Sequence, residues 1–183
     1  MTAPRRHKLP GDPPTEDRIA RILRVDQAGE YGAKRIYDGQ LAILGRSRSS
    51  LAIRRMAEQE KRHLAAFDAL VVARRVRPTL LSPLWHVAGF ALGAATALLG
   101  ERAAMACTVA VEEVIDAHYT RQAEALGEDE PALRATIETF RGDEADHRAV
   151  ALAHGAEETL GYGLLSATIK AGSRLAIWLS ERI

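Results

Sequence analysis

Glu60-Lys61-Arg62-His63 recurs in this chain as Glu144-Ala145-Asp146-His147. On a helix, a Glu and a His three residues apart leave one face one turn apart, so each copy can present a carboxylate oxygen and an imidazole nitrogen to a single ion. One such motif on a surface helix means little; what precedes the two copies gives them weight. Glu30 lies 30 residues before Glu60, and Glu112 lies 32 before Glu144, each in an apolar-periodic segment. Midway between the first two is Gly45-Arg46-Ser47-Arg48-Ser49-Ser50, and midway between the second two is Gly127-Glu128-Asp129-Glu130-Pro131. A helix folded back at those breakers descends as many steps of about 1.5 Å as it climbed, which brings each lone Glu level with its Glu-x-x-His. The chain reads as two equivalent helical hairpins. Tyr37 and Tyr119, each seven residues after the lone Glu, and Gln40 and Gln122, each ten after, extend the repeat.

Four Glu and two His in two related sets point to a dinuclear carboxylate site, the ligand pattern of ferritin-like di-iron and di-manganese bundles. The expected fold is therefore all-α: a ferritin-like four-helix bundle built from two helical hairpins, with additional apolar helices. The metal ligands expected are Glu30, Glu60, His63, Glu112, Glu144 and His147. Two divalent ions would balance four carboxylates, whereas the same four Glu without metal would repel one another in a helical core. Hard oxygen donors suit iron or manganese better than thiolate-seeking metals. Glu113 stands beside Glu112, and spacing alone does not separate them; Glu112 is preferred because aligning it with Glu30 also superposes Tyr119 on Tyr37.

Helical spacing also nominates supporting residues. Asp143, one turn before His147, could accept the outer N–H of His63 from the opposite hairpin, with Gln59 as its counterpart. Asp26 and Asp116 lie one turn from Glu30 and Glu112. Tyr37 and Tyr119 are read as packed residues with satisfied hydroxyls, with redox activity the sharper alternative. His118 and His154 are read as hydrogen-bonded core or surface residues.

At 183 residues the chain is long enough for one domain with a full core. Scarce aromatics, short β-branched runs and abundant Ala, Leu and Arg favour helix. Cys107 is alone, so no internal disulfide forms, and it reads as a small buried residue. The near-neutral total hides an asymmetry: residues 1–78 carry 17 Lys and Arg against 9 Asp and Glu, while residues 79–183 carry 8 against 15. The basic half is read either as solvated helix faces or as a surface for anionic lipid or a negatively charged reductant. Nucleic acid is disfavoured, because no aromatic residues interleave with the basic ones.

Residues 1–15 read as a disordered, Pro-rich lead-in with no apolar core of signal-peptide type, and residues 16–183 as the bundle domain. Thr15 can cap a first helix over about 16–45; a second runs over about 48–76 and ends at Pro78. Ser82 and Pro83 then begin a helix to about 99 that carries no charge before Glu101. It is at the short edge of what spans a bilayer, and a span would separate the hairpins, so it either packs in the bundle or lies in a membrane interface with Trp85 near the headgroups. Gly89 and Gly93 mark close helix contact. Helices over about 101–126 and 130–158 form the second hairpin, and a last helix over about 164–181 mixes Leu, Ile and Trp178 with Lys170, Arg174 and Arg182. That last helix is a second membrane-surface candidate, with ordinary bundle packing as the alternative.

Several stretches carry a specific resemblance: Arg24-Val25-Asp26-Gln27-Ala28-Gly29-Glu30-Tyr31-Gly32-Ala33, Glu58-Gln59-Glu60-Lys61-Arg62-His63, Ala106-Cys107-Thr108-Val109-Ala110-Val111-Glu112-Glu113 and Ala176-Ile177-Trp178-Leu179-Ser180-Glu181-Arg182. From about residue 17 to the end the chain resembles the demethoxyubiquinone hydroxylases of ubiquinone biosynthesis. The resemblance implies a di-iron monooxygenase that uses O₂ to add a ring hydroxyl to a polyprenylated methoxy-methyl-benzoquinol, with two iron ions as cofactor. It implies the same six ligands, with Glu60 and Glu144 as the bridging pair. It also implies a polyprenyl quinol, O₂, a membrane surface, and a homo-oligomer or a complex of ubiquinone-biosynthesis proteins as partners, with the reductant left open. The absence of a mitochondrial presequence gives the expectation of a peripheral protein on the cytoplasmic face of a bacterial inner membrane. The competing readings are another ferritin-like quinol oxidase or rubrerythrin-type protein, an iron-storage or ferroxidase protein, and a metal-free helical interaction module.

Overall fold

The computed structural model describes residues 15–183, so the lead-in expected over 1–15 lies, apart from Thr15, outside the described residues. All six long elements are helices: α1 (Thr15–Leu44), α2 (Ser50–Ala73), α3 (Ser82–Leu98), α4 (Glu101–Leu126), α5 (Pro131–Ala153) and α6 (Tyr162–Ser180), with a 3-10 turn at Ala156–Glu158 before α6. α1 with α2 and α4 with α5 form the two expected hairpins, reversing at Gly45–Ser49 and after Gly127, whose φ of 54° is left-handed and free of strain only for glycine. The hairpins are tied to each other where Glu101 accepts hydrogen bonds from the Ser49 backbone N–H at 2.9 Å and from its hydroxyl at 2.6 Å.

Two expected helix ends and one expected cap differ from those found. α2 stops at Ala73 rather than about 76, and Pro78 is not the cause: Arg75 turns left-handed (φ 53°), and its N–H and that of Val76 close back onto the carbonyls of Val72 and Val71. This is a Schellman closure, in which the apolar Val76 packs onto the core just beyond the helix end. The helix expected over 130–158 breaks at Gly155 (φ 78°), which lets the 3-10 turn fold Ala156 into the core. Ser82 does not cap α3. Its hydroxyl donates to the Thr79 carbonyl at 2.9 Å, and Leu81 occupies the cap position.

Between the hairpins, two apolar clusters fill the ends of the bundle. Leu23, Phe67, Tyr119, Leu126 and Ile137 pack at one end, and Tyr37, Ile53, Met56, Met105 and Val109 at the other. The Glu and His residues lie in the zone between them. α3 packs along α1 and α6 along α4. The α1–α3 contact is backbone against backbone: a Cβ on Gly93 would sit 1.9 Å from the Ile36 carbonyl oxygen, and one on Gly39 2.2 Å from that of Phe90. The Gly89/Gly93 signal thus marks a contact with α1.

α3 is only partly buried. Gly93, Thr96 and Ala97 face inward, while Val87 (64% exposed) and Leu98 (72%) face out, as do Leu164 (78%) and Trp178 (51%) of α6. Among the described residues no helix is long and apolar enough to cross a membrane. Trp85, half-buried, donates its indole N–H to Ser180 Oγ at 3.0 Å and joins α3 to α6.

The packing sets opposite signs for two glycine substitutions. Gly93→Leu should lower stability by about 1–3 kcal/mol through overpacking against α1. Gly142→Ala, where an added Cβ meets nothing within 4 Å on an exposed helix face, should raise stability by about 0.5–1 kcal/mol. Urea denaturation midpoints of the two variants against the parent chain would check both.

Candidate metal centre

Each of the four bundle helices contributes to one buried cluster. Glu30 comes from α1, Glu60 and His63 from α2, Glu112 from α4, and Glu144 and His147 from α5; all six are at most 3% exposed. His63 Nδ1 lies 3.1 Å from Glu144 and 3.5 Å from Glu30. His147 Nδ1 lies 3.0 Å from Glu144, 3.1 Å from Glu60 and 3.8 Å from Glu112. The two imidazoles are 6.4 Å apart, centre to centre. Donor atoms fall into two sets, each with all members within 4.8 Å of one another: Glu30, Glu60, His63 and Glu144, and Glu60, Glu112, Glu144 and His147. Glu60 and Glu144 belong to both.

The chemistry of these atoms fits a cation. Both carboxylate oxygens of Glu60, one each of Glu112 and Glu144, and Nδ1 of His63 are buried without a hydrogen-bond partner. Buried acceptors left unpaired are costly, and a metal ion satisfies several at once. Without an ion, burial and the charge of Glu144 push Glu60 and Glu112 well above the ordinary carboxylate range. For Glu144 burial acts in the same direction, but the hydrogen bond with His147 and the close approach of the His63 imidazole outweigh it and hold the group low. Burial alone would depress the imidazoles; the surrounding glutamates reverse that and push His63 up to about 11 and His147 to about 12. These buried Glu/His groups could hold a metal ion.

The residues behind the cluster are arranged largely as the spacing required. His63 Nε2 meets Asp143 at 2.9 Å, and His147 Nε2 meets Gln59 at 3.3 Å. Both rings therefore turn Nδ1 inward. Tyr37 on α1 donates to Glu112 on α4 at 2.9 Å, and Tyr119 on α4 donates to Glu30 on α1, a reciprocal cross between hairpins. Burial and the neighbouring glutamates push both phenols well above their usual range, so they remain donors. Glu113 is excluded from the cluster, because it turns outward to pair with Lys170 of α6.

Two nominated residues are placed elsewhere. Asp116 is one-third exposed and pairs with Arg141 at 3.2 Å, since four residues carry it about 40° around the helix from Glu112 toward the rim. Asp26 is buried but binds Gln122 at 2.7 Å and faces His118 at 3.5 Å, not Glu30. Burial raises its carboxyl above the ordinary range. His154 is on the surface. Sequence reasoning missed Phe140, which stacks on His63 at 4.0 Å; its position one turn before Glu144 was the available signal. It also missed an apolar cavity of about 380 Å³ lined by Gly29, Gly32, Ile36, Trp85, Val111 and Ile177, among others. Gly29 and Val111 immediately precede Glu30 and Glu112. Arg21 and Arg24 of the basic half share a surface cleft with Asp17, Glu181 and Arg182.

Two helical hairpins that bury between them a carboxylate and histidine cluster able to hold a metal ion define a helical bundle consistent with the ferritin-like class. Residues 17–180 match the family described as ubiquinone biosynthesis protein COQ7, and the chain belongs to that family. It is 60% identical over 177 residues to the 3-demethoxyubiquinol 3-hydroxylase of Rhodospirillum rubrum, covering 96% of this chain and 84% of that protein. It is 53% identical over 169 residues to the human mitochondrial NADPH-dependent 3-demethoxyubiquinone 3-hydroxylase (90% and 78% covered). It is 41% identical over 182 residues to the mitochondrial 5-demethoxyubiquinone hydroxylase of Saccharomyces cerevisiae (90% and 78%).

The metal-free cluster has a defined pH dependence. Glu60, Glu112, His63 and His147 all hold protons more tightly folded than unfolded, so their contribution to stability is present at low pH and is lost as pH rises. In EDTA, the melting temperature should fall as pH rises from about 6 to about 9 and should fall less for Glu60→Gln, which removes one of the groups forced to ionise. Thermal melts of both proteins across that range are the check.

Proposed function

We propose that this chain hydroxylates the ring of a polyprenylated demethoxyubiquinol, using O₂ and two iron ions held by Glu30, Glu60, His63, Glu112, Glu144 and His147. The observation that carries this reading is an apolar cavity walled in part by Gly29 and Val111, the chain neighbours of the buried Glu30 and Glu112, in a chain of a family whose relatives bear the name of that hydroxylase. Iron, when bound, supplies the activation of O₂ and the transfer of one of its atoms to the ring. The chain supplies the rest. Glu60 and Glu144 belong to both donor sets and so would bridge the ions. Tyr37 and Tyr119 fix the lone glutamates, Asp143 and Gln59 fix the imidazoles, and the two apolar clusters keep water from the centre.

The cavity runs between α1, α3, α4 and α6 and its lining is overwhelmingly carbon, which suits a quinol ring and the first units of a prenyl tail. Small residues make the space: a Cβ on Gly29 or Gly32 meets nothing within 4 Å. The outward apolar residues of α3 and α6, Val87, Leu98, Leu164 and Trp178, flank the same two helices and suit a membrane face that holds the rest of the tail. Arg182 lies 4.3 Å over the Trp178 ring, a pairing of aromatic and basic groups fit for the headgroup level.

Anaerobic loading with ferrous iron, then addition of O₂ and a short-tailed demethoxyquinol, should give a product heavier by one oxygen atom. Quinone formed without oxygen insertion would instead mark an oxidase. Gly32→Leu should raise KM for the quinol at least about 10-fold with iron content unchanged, because it fills the cavity and touches no ligand. Replacing Val87 and Leu98 with Ser should weaken co-sedimentation with anionic vesicles while leaving turnover of a water-soluble, tail-less quinol intact.

A further inference from the structure

The internal repeat makes residues 26 and 108, 30 and 112, 37 and 119, and 40 and 122 equivalent on α1 and α4, and residues 59 and 143, 60 and 144, and 63 and 147 equivalent on α2 and α5. Ligands and tyrosines obey that symmetry, but their supports do not. Behind His63 stands a carboxylate, Asp143, at 2.9 Å; behind His147 stands the neutral amide of Gln59, at 3.3 Å. One turn before Glu30 is buried Asp26; one turn before Glu112 is buried Thr108. Gln122 donates to that Asp at 2.7 Å, while Gln40 reaches the Thr at 3.4 Å. Both exchanges of acid for neutral group fall at the Glu30 and His63 end. Since His118 faces Asp26 at 3.5 Å, Asp143 is the acid that acts directly on a ligand.

Resting on the metal-centre reading above, we infer that the two metal positions are unequal. The position framed by Glu30, Glu60, His63 and Glu144 takes the first divalent ion and holds it more tightly than the one framed by Glu60, Glu112, Glu144 and His147, and Asp143 is the positioning residue responsible. A carboxylate that accepts the outer N–H of an imidazole locks the tautomer that leaves Nδ1 free and makes that nitrogen a stronger donor. A charge-assisted hydrogen bond is shorter and about twice as strong as a neutral one, so Gln59 does this less for His147. The repeat that builds the centre thus carries one asymmetric pair that ranks its halves.

The test is anaerobic titration of metal-free protein with Mn²⁺, read by calorimetry and by the electron paramagnetic resonance signals of singly and doubly loaded protein. Wild type should bind in two steps at least about 10-fold apart in Kd. The isosteric Asp143→Asn should weaken the first step by about 10- to 100-fold, the usual range for an outer partner of a ligating His, and merge it with the second. Asp143→Glu should keep two steps, and Gln59→Glu should narrow the gap from the other side by tightening the second. Two equal steps in wild type, or an Asp143→Asn protein in which both steps weaken alike, would overturn the inference while leaving the metal centre standing. No binding by wild type would instead remove the metal-centre reading itself.

Discussion

Four carboxylates packed around two imidazoles in the dry middle of a helical bundle are the constraint on which the rest of this structure depends. Such a cluster is tolerable only if cations or protons neutralise it, and the unpaired oxygens of Glu60, Glu112 and Glu144 show where the compensation has to come from. The tyrosines each spend their hydroxyl on the lone glutamate of the opposite hairpin, and each imidazole is steered by a residue of the opposite hairpin as well. The polar centre therefore specifies how the hairpins dock, while the apolar clusters on either side supply most of the favourable burial.

The outer helices answer a different requirement. α3 approaches α1 so closely that glycine is needed at Gly39 and Gly93, yet the small residues of α1 at Gly29 and Gly32 leave space that nothing fills. Close contact at one level and open volume at the next turn a packed interface into a walled cavity lined in part by Gly29 and Val111, the chain neighbours of Glu30 and Glu112. The same helices present their remaining apolar side chains outward, so cavity and exposed face are two sides of one construction.

Much of the site was legible because helix geometry is local. The 30- and 32-residue spacings foretold that each lone Glu would lie level with its Glu-x-x-His, and the one-turn offset of Asp143 foretold its hydrogen bond to His63. The same local logic misplaced Asp116 and Asp26, since a turn of helix returns a side chain near a face without saying which neighbour it meets there. Asp116 met Arg141, and Asp26 met Gln122 and His118. Helix ends were misread where left-handed Arg75 closes α2 ahead of Pro78 and where left-handed Gly155 breaks the helix expected to run to 158.

By itself the amino-acid sequence determined the helical hairpins, the Glu and His side chains of the buried cluster and their repeat, because spacing along a helix converts directly into position on a face. Only the tertiary structure decided that Glu112 turns inward while Glu113 pairs with Lys170, that Tyr37 and Tyr119 serve glutamates across the hairpins, and that α3 is half covered with a cavity behind it. Those outcomes depend on how far apart helices settle and which side chains face one another across the gap. Such distances are set by packing between segments remote in the chain, which no spacing within a segment records.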